Sequence, residues 1–241
     1  MLKLSTLTLA TAISLLASST SAFGVVLNGS FETGNFTDWT TVGDTSVQDS
    51  GFGVTPTDGN YQAALQTLAN TTGVSASNLE SFLGLSSGTL TNSGATEGSA
   101  IQQTIGANTG DVLSFDYNFL TDEVPGNSDF NDFAFFTLNN NFISLADTLS
   151  PELFSPSFSS FAAETGYQSF SYTFTNSGTY TLGFGGVDVD NTGGGDTGVN
   201  SGLLVDNVKT TPVPEPMTIF GSLAALGFMK KFSKKRDENQ D

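Results

Sequence analysis

Hydrophobic and polar positions alternate along much of this chain, and the period is two. In DVLSFDYNFLT (111–121), Val112, Ser114, Asp116 and Asn118 fall on one side and Leu113, Phe115, Tyr117 and Phe119 on the other. Successive strand residues point to opposite faces, so this segment predicts a strand with one aromatic face. QSFSYTFT (168–175) sets Phe170, Tyr172 and Phe174 on one face, and TYTLGFGGV (179–187) does the same with Tyr180, Leu182 and Phe184. Asn176, Ser177 and Gly178 between them read as a hairpin connection. Further strands are predicted at 24–27, 61–66, 100–105, 133–138 and 203–209. Two helical pieces interrupt. Ser77 with Glu80 makes a capping box ahead of Leu79, Phe82 and Leu83, with Gly84 as the stop. Ser150-Pro151-Glu152 starts a second short turn before Phe154. The pattern predicts an all-β chain: an antiparallel two-sheet β-sandwich of jelly-roll type over 23–211, with a partly helical insert at 67–96 outside the sheets. No repeat of solenoid type is visible.

The two ends break the pattern. Lys3 precedes a short apolar stretch, 7–17, and Thr20-Ser21-Ala22 offers small residues for cleavage, so 1–22 reads as a secretory signal peptide. The segment 212–241 contains Pro214, Glu215 and Pro216, an uncharged run at 217–229, and then Lys230, Lys231, Lys234, Lys235 and Arg236. The prolines stop upstream structure from continuing. As a helix the run is about 20 Å long at roughly 1.5 Å per residue, marginal against a hydrocarbon core of about 30 Å. The basic cluster orients it with the C-terminus cytoplasmic and the remainder outside. A signal peptide combined with Val213-Pro214-Glu215-Pro216, an apolar run and a basic cluster resembles PEP-CTERM proteins of bacteria. That resemblance implies export through an inner-membrane intermediate, processing by an exosortase-type enzyme that reads Pro214, Glu215 and Pro216, and a destination at the cell surface or in an exopolysaccharide matrix. It speaks to sorting and leaves activity open.

Charge and missing residue types narrow the chemistry. The chain has 24 acidic and seven basic residues, and between 23 and 216 only Lys209 is basic. A field this acidic repels nucleic acid and favours solubility and cation binding. Cysteine and histidine are both absent. Disulfides, thiolate and imidazole metal sites, and Ser-His or Cys-His nucleophiles are thereby excluded. One lysine and no arginine in this region argue against phosphate clamps and Schiff-base chemistry. Any enzyme here would use carboxylates, hydroxyls or divalent metals.

VLNGSFETGNFTDW (26–39), TDGNYQAAL and GLLVDNV (202–208) are similar to the opening, middle and closing strands of carbohydrate-binding modules with a galactose-binding-like jelly roll. The resemblance implies that the first and last strands lie together with a structural calcium between them, and it carries the metal positions onto Glu32 and Asp206; the alternative is that both acids point to solvent or cap backbone N–H groups. The long insert at 67–96 departs from that family, and no sugar-stacking position transfers. DVLSFDYNFLTDEVPGNSDFNDFAFFTL looks like a segment recurrent in exported bacterial proteins, which implies a surface protein and no chemistry.

The remaining candidates have plain structural readings. Trp39 is the single tryptophan and packs near the first strand's end on the simpler reading. Most of the 21 phenylalanines belong to one face and hence to the core. Asp122/Glu123 and Asp129/Asp132 could pair as a glycosidase acid and base, although loop carboxylates are usually solvated. DVDNTGGGDTG (188–198) fails the spacing of an EF-hand loop. Three classes stay open, and no catalytic residue is assigned. They are a non-enzymatic exported module associated with the surface or matrix and binding glycan, a purely structural or adhesive surface protein, and a carboxylate-dependent glycan hydrolase or lyase.

Overall fold

The computed structural model describes residues 24–67, 73–124, 126–192 and 199–213. The signal peptide, the Pro214-Glu215-Pro216 motif, the apolar run and the basic cluster from Lys230 to Arg236 lie outside the described residues. Among the described residues no helix is long and apolar enough to cross a membrane.

Two antiparallel sheets carry the fold. One holds β1 (Thr40–Val42), β5 (Ala95–Ala107), β11 (Gly178–Val189), β7 (Phe133–Leu138) and β8 (Asn141–Asp147) in that order, with β4 (Val74–Ser75) paired to β5. We call it sheet A. Sheet B runs β10 (Gln168–Thr173), β6 (Val112–Thr121), β12 (Ser201–Thr211), β3 (Gln62–Gln66) and β2 (Asp44–Gln48), with β9 (Ala163–Glu164) paired to β6. The period-two faces become the core. Leu113, Phe115, Phe119, Phe136, Phe184, Leu203 and Val205 are buried between the sheets. Phe115 meets Phe184 edge-on at 4.8 Å and lies 5.0 Å from Phe136, spacings at which aromatic quadrupoles attract.

The inter-sheet core is not the only one. Phe133–Leu138 is buried at all six positions because both its faces are covered. Helix α1 (Ala76–Leu83) lies on the outer face of sheet A, where Leu79, Leu83 and Leu90 pack with Phe133, Phe135, Val187 and Val189. Close docking depends on Gly183 and Gly185 in β11. A Cβ at Gly183 would collide with Thr137, and one at Gly185 would stand 2.5 Å from the Phe135 ring. On the outer face of sheet B, Val54, Phe161 and Leu120 cover Ala64 and Leu204.

Five expectations change. The helix starts at Ala76, capped by Ser75 instead of Ser77, and Gly84 ends it at φ 67°. Glu80 does not return to the cap; it accepts N–H bonds from Gly88, Leu90 and Thr91, pinning the turn beyond the helix. The insert is also less separate than expected, since β4 joins sheet A and β5 begins at Ala95. Residues 24–27 are not a strand: the Gln103 side-chain amide takes both the N–H and the C=O of Leu27, and Asn28, Phe31 and Asp38 beyond it have φ of 48°, 56° and 69°. The segment still runs against the last strand, with Val208 N donating to Gly29 O at 3.0 Å. Ser150-Pro151-Glu152 forms turns without a helix, because Asp147 takes the Leu149 N–H and the Ser150 hydroxyl. Finally, Asn176-Ser177-Gly178 is no hairpin. β10 pairs with β6 in sheet B, whereas β11 pairs with β5 and β7 in sheet A, so the turn crosses between sheets. The Tyr180 hydroxyl donates to Asn176 O at 2.7 Å and holds this arch.

Candidate functional site

The expected pair, Glu32 and Asp206, converges on one loop. Asp206 projects from the outer face of β12, opposite Asp116 of β6, and is completely buried beneath residues 49–61. Its Oδ2 accepts from Thr57 N at 2.7 Å, Asp58 N at 2.8 Å and the Thr57 hydroxyl at 3.0 Å, and its Oδ1 accepts from Asn207 N at 2.7 Å. Glu32 stands at the other end of the same loop and accepts from Asn60 N at 2.7 Å and Tyr61 N at 2.8 Å. The left-handed backbone at Phe31 positions it there. Phe31 is fully buried against Trp39 and Phe36, with ring centroids 5.6 and 5.9 Å away, and this packing offsets the backbone strain.

These surroundings do not fit a calcium shared by the two acids. The polar groups that face their oxygens are N–H and O–H donors, and a cation needs oxygen lone pairs instead. Nor do the described residues hold a group of three or more carboxylates arranged for a metal. The pair acts as two anchors for loop 49–61. Asn28 and Asn207 serve local hydrogen bonds: the Asn28 amide donates to Asn35 O and Thr37 O, and the Asn207 amide to Asp116 Oδ2 at 2.9 Å.

Asp206 and Asp116 form an adjacent carboxylate pair whose proton affinities diverge. Burial pushes the Asp206 carboxyl above its ordinary range, against the pull of the Asp58, Asn207 and Thr57 donors. Burial also pushes Asp116 up, but Ser169, Asn207, Thr57 and the Lys209 charge outweigh it and hold this carboxyl below the ordinary range. Nearby, burial first, then Asp206, Asp116 and Glu164, push the Tyr167 phenol upward, and its hydroxyl donates to Gln62 Oε1. Split carboxylates are the usual arrangement of an acid and a base. Here a substrate cannot reach Asp206, because loop 49–61 encloses it. One member of each sequence pair is also engaged in the fold. Asp132 is fully buried, accepting from Val189 N at 2.8 Å and from the Ser201 hydroxyl at 2.6 Å, and Asp122 accepts from Ala162 N at 2.8 Å.

Among the described residues, two of the clefts bear on ligand binding. The first, about 260 Å³, lies on the outer face of sheet A beside the helical insert. Its floor is β7 and β8, which present Phe133, Phe142, Ser144 and Asp147, and its rim carries Ser93, Ser128, Asn131 and Asn191. Phe142 is half-buried, meeting Phe135 at 5.2 Å and Phe133 edge-on at 6.0 Å. Asp147 accepts the Asn131 amide at 3.3 Å, so carboxylate and amide lie side by side next to the ring. The second cleft, about 390 Å³, is formed by loop 49–61 itself, with Tyr61, Asn60, Asp49 and Thr55 among its walls.

No family model matches this sequence, and no curated protein matches it. Among the solved structures that are similar at a low level are the following two. One is the carbohydrate-binding module TmCBM61 in complex with β-1,4-galactotriose, at 12% identity and a TM-score of 0.42, covering 78% of this chain and 97% of that one. The other is the Stig cyclase Fisc from Fischerella sp. TAU in complex with an indole compound, at 13% identity and a TM-score of 0.39, covering 80% and 100%. Likeness at this level carries no functional argument, so the reading below stands on the clefts.

Phe142 and Asp147 were not singled out by sequence, although a signal existed. Leu138 pairs with Asn141 across Asn139-Asn140, and Asn139 has φ 55°. Two asparagines after a strand are the chemistry of a tight hairpin, from which β8 and its outward set could have been read.

Proposed function

We propose that this chain is an exported, non-enzymatic module of the cell surface or extracellular matrix that binds glycan through the cleft on sheet A. One observation carries the reading: the Phe142 ring lines one cleft with Ser144 and Asp147, all on β8, and with Asn131 just before β7. A sugar offers an apolar C–H face and a rim of hydroxyls. The ring takes the former, and the carboxylate and amide take the latter at fixed spacing. Sorting follows the terminal signals: removal of 1–22 on export, cleavage near Pro214-Glu215-Pro216 by an exosortase-type enzyme, and release from an inner-membrane intermediate.

The test is affinity gel electrophoresis of the mature domain through β-1,4-galactan, xylan, laminarin and dextran. At least one polymer should retard the wild type, and Phe142→Ala and Asp147→Ala should each weaken that retardation about tenfold, equivalent to ~1.4 kcal/mol. Free migration through every polymer, in this panel and on a glycan array, would return the protein to the structural or adhesive class. Intact-mass measurement of the surface fraction tests the sorting: a species retaining Lys230 to Arg236 sinks the cleavage.

A further inference from the structure

We propose that the cleft around Tyr61 is a second, independent site for uncharged glycan, and that the module crosslinks two polymer chains. This rests on the glycan reading of the sheet A cleft. Three observations carry it.

The second cleft is separate and belongs to the other layer. The sheet A cleft sits on the outer face of β7 and β8, whereas loop 49–61 is fastened to sheet B. Val54 of that loop is buried against Ala64 and Leu204 on sheet B's outer face. The two openings therefore lie on different sides of the sandwich, and each can hold its own chain.

The loop is also preorganised. Thr57 N, Asp58 N, Asn60 N and Tyr61 N are all bonded to Asp206 or Glu32, at 2.7 to 2.8 Å. Gly59, at φ 74°, passes so close to Glu32 that a Cβ there would collide with the carboxylate. Asp58 is tied back in turn, accepting the Ser30 hydroxyl at 2.6 Å. Loops fixed from beneath by their own backbone leave their side chains free for a ligand and lose little entropy on binding. Here the side chains of Asn60, Asp49 and Thr55 are exposed beside the half-buried Tyr61; the Asn60 amide donates to Glu32 Oε2 at 3.4 Å and Asp49 Oδ1 accepts from Gly51 N at 2.8 Å, which fixes both groups and leaves the Asn60 carbonyl and Asp49 Oδ2 for a ligand.

Those side chains select the ligand class. Tyr61 packs partly against the inter-sheet core and offers the cleft the rest of its ring with its polar edge, and Asn60 and Asp49 offer planar donors and acceptors for vicinal hydroxyls. The charge within the cleft is acidic, and Lys209 is the one basic side chain among the described residues. Uronate, sulfated or phosphorylated glycans would meet the Asp49 carboxylate in a lining that holds no basic side chain, so the ligand is neutral.

The experiment uses the mature domain, the neutral polymer of the panel above that retards it most, and a tetrasaccharide cut from that polymer. Calorimetry should give two tetrasaccharides per protein, falling to one in Phe142→Ala and to one in Asn60→Ala or Tyr61→Ala. Asn60→Ala is the safer variant because its side chain is exposed, and melting curves check that each variant is folded. The wild type should crosslink the polymer, read as turbidity and viscosity, and either single variant should abolish crosslinking. Loss of avidity should weaken polymer binding on the order of a hundredfold. A stoichiometry of one, with Asn60→Ala and Tyr61→Ala unchanged, overturns the second site and leaves the glycan reading standing. No binding by the wild type overturns both.

Discussion

Replacing Asp206 by alanine isolates the device on which loop 49–61 depends. The substitution removes the acceptor for three backbone N–H groups, those of Thr57, Asp58 and Asn207, and for the Thr57 hydroxyl. A buried donor left without a partner costs about 1–3 kcal/mol. Thr57 and Asp58 are exposed residues, so once the loop lifts, water can reach their N–H groups and the loss there falls to about 1 kcal/mol each. Asn207 N stays at the strand bulge and loses more. Against this, alanine removes a buried carboxylate whose desolvation opposed folding, the same cost that raises its proton affinity. The balance is a destabilisation of about 2–4 kcal/mol, built from those per-bond values. Asp206→Asn keeps one acceptor oxygen. Turned to serve Thr57 and Asp58, that oxygen leaves only Asn207 N facing an N–H₂ group, so the cost is about 1–2 kcal/mol. Urea denaturation at pH 7 measures both, and hydrogen exchange at the Thr57 and Asp58 amides shows whether the loop is the part released. If Asp206→Ala lies within about 0.5 kcal/mol of wild type, as an ordinary surface change would, the anchoring argument is wrong.

The other predictions concern different parts of the molecule. Burial raises the Glu80 carboxyl, but the Thr91, Leu90 and Gly88 N–H groups and the Thr91 hydroxyl together bring it below the ordinary value. Its contribution is therefore present above the unfolded carboxylate range and is lost as pH falls through the lowered folded value. Glu80→Gln should be less stable at pH 7 and should lose less stability between pH 5 and pH 2, on the order of the single-carboxylate linkage effect; an unchanged acid slope refutes this. Gly185→Ala places a Cβ 2.5 Å from the Phe135 ring and should lower stability by about 1–3 kcal/mol, read as a lower Tm. For calcium, the N–H donors on Glu32 and Asp206 lead us to expect one melting temperature in calcium and in chelator. A stabilisation approaching ~2.7 kcal/mol at a hundredfold excess over Kd would reinstate the metal.

Side-chain parity was legible in the sequence, because a strand has a fixed period of two and burial selects one face. Phe170, Tyr172 and Phe174 point inward as the alternation required, and so do Tyr180, Leu182 and Phe184. The stop at Gly84 was equally legible, since a helix C-terminus needs a left-handed residue and glycine adopts that conformation without strain. Partner choice was not. Two strands with inward aromatic faces can lie side by side or face each other across the core, and alternation is the same in both, so the turn at Asn176 read as a hairpin while the chain crosses between sheets. The role of a carboxylate was undetermined for a related reason. Glu32 and Asp206 are acids with almost no cation nearby, and that fact fits a calcium site and a bed of backbone N–H groups equally well. Only the folded chain, by carrying residues 57–61 over β12 from about 150 positions away in sequence, decides that peptide N–H groups meet them.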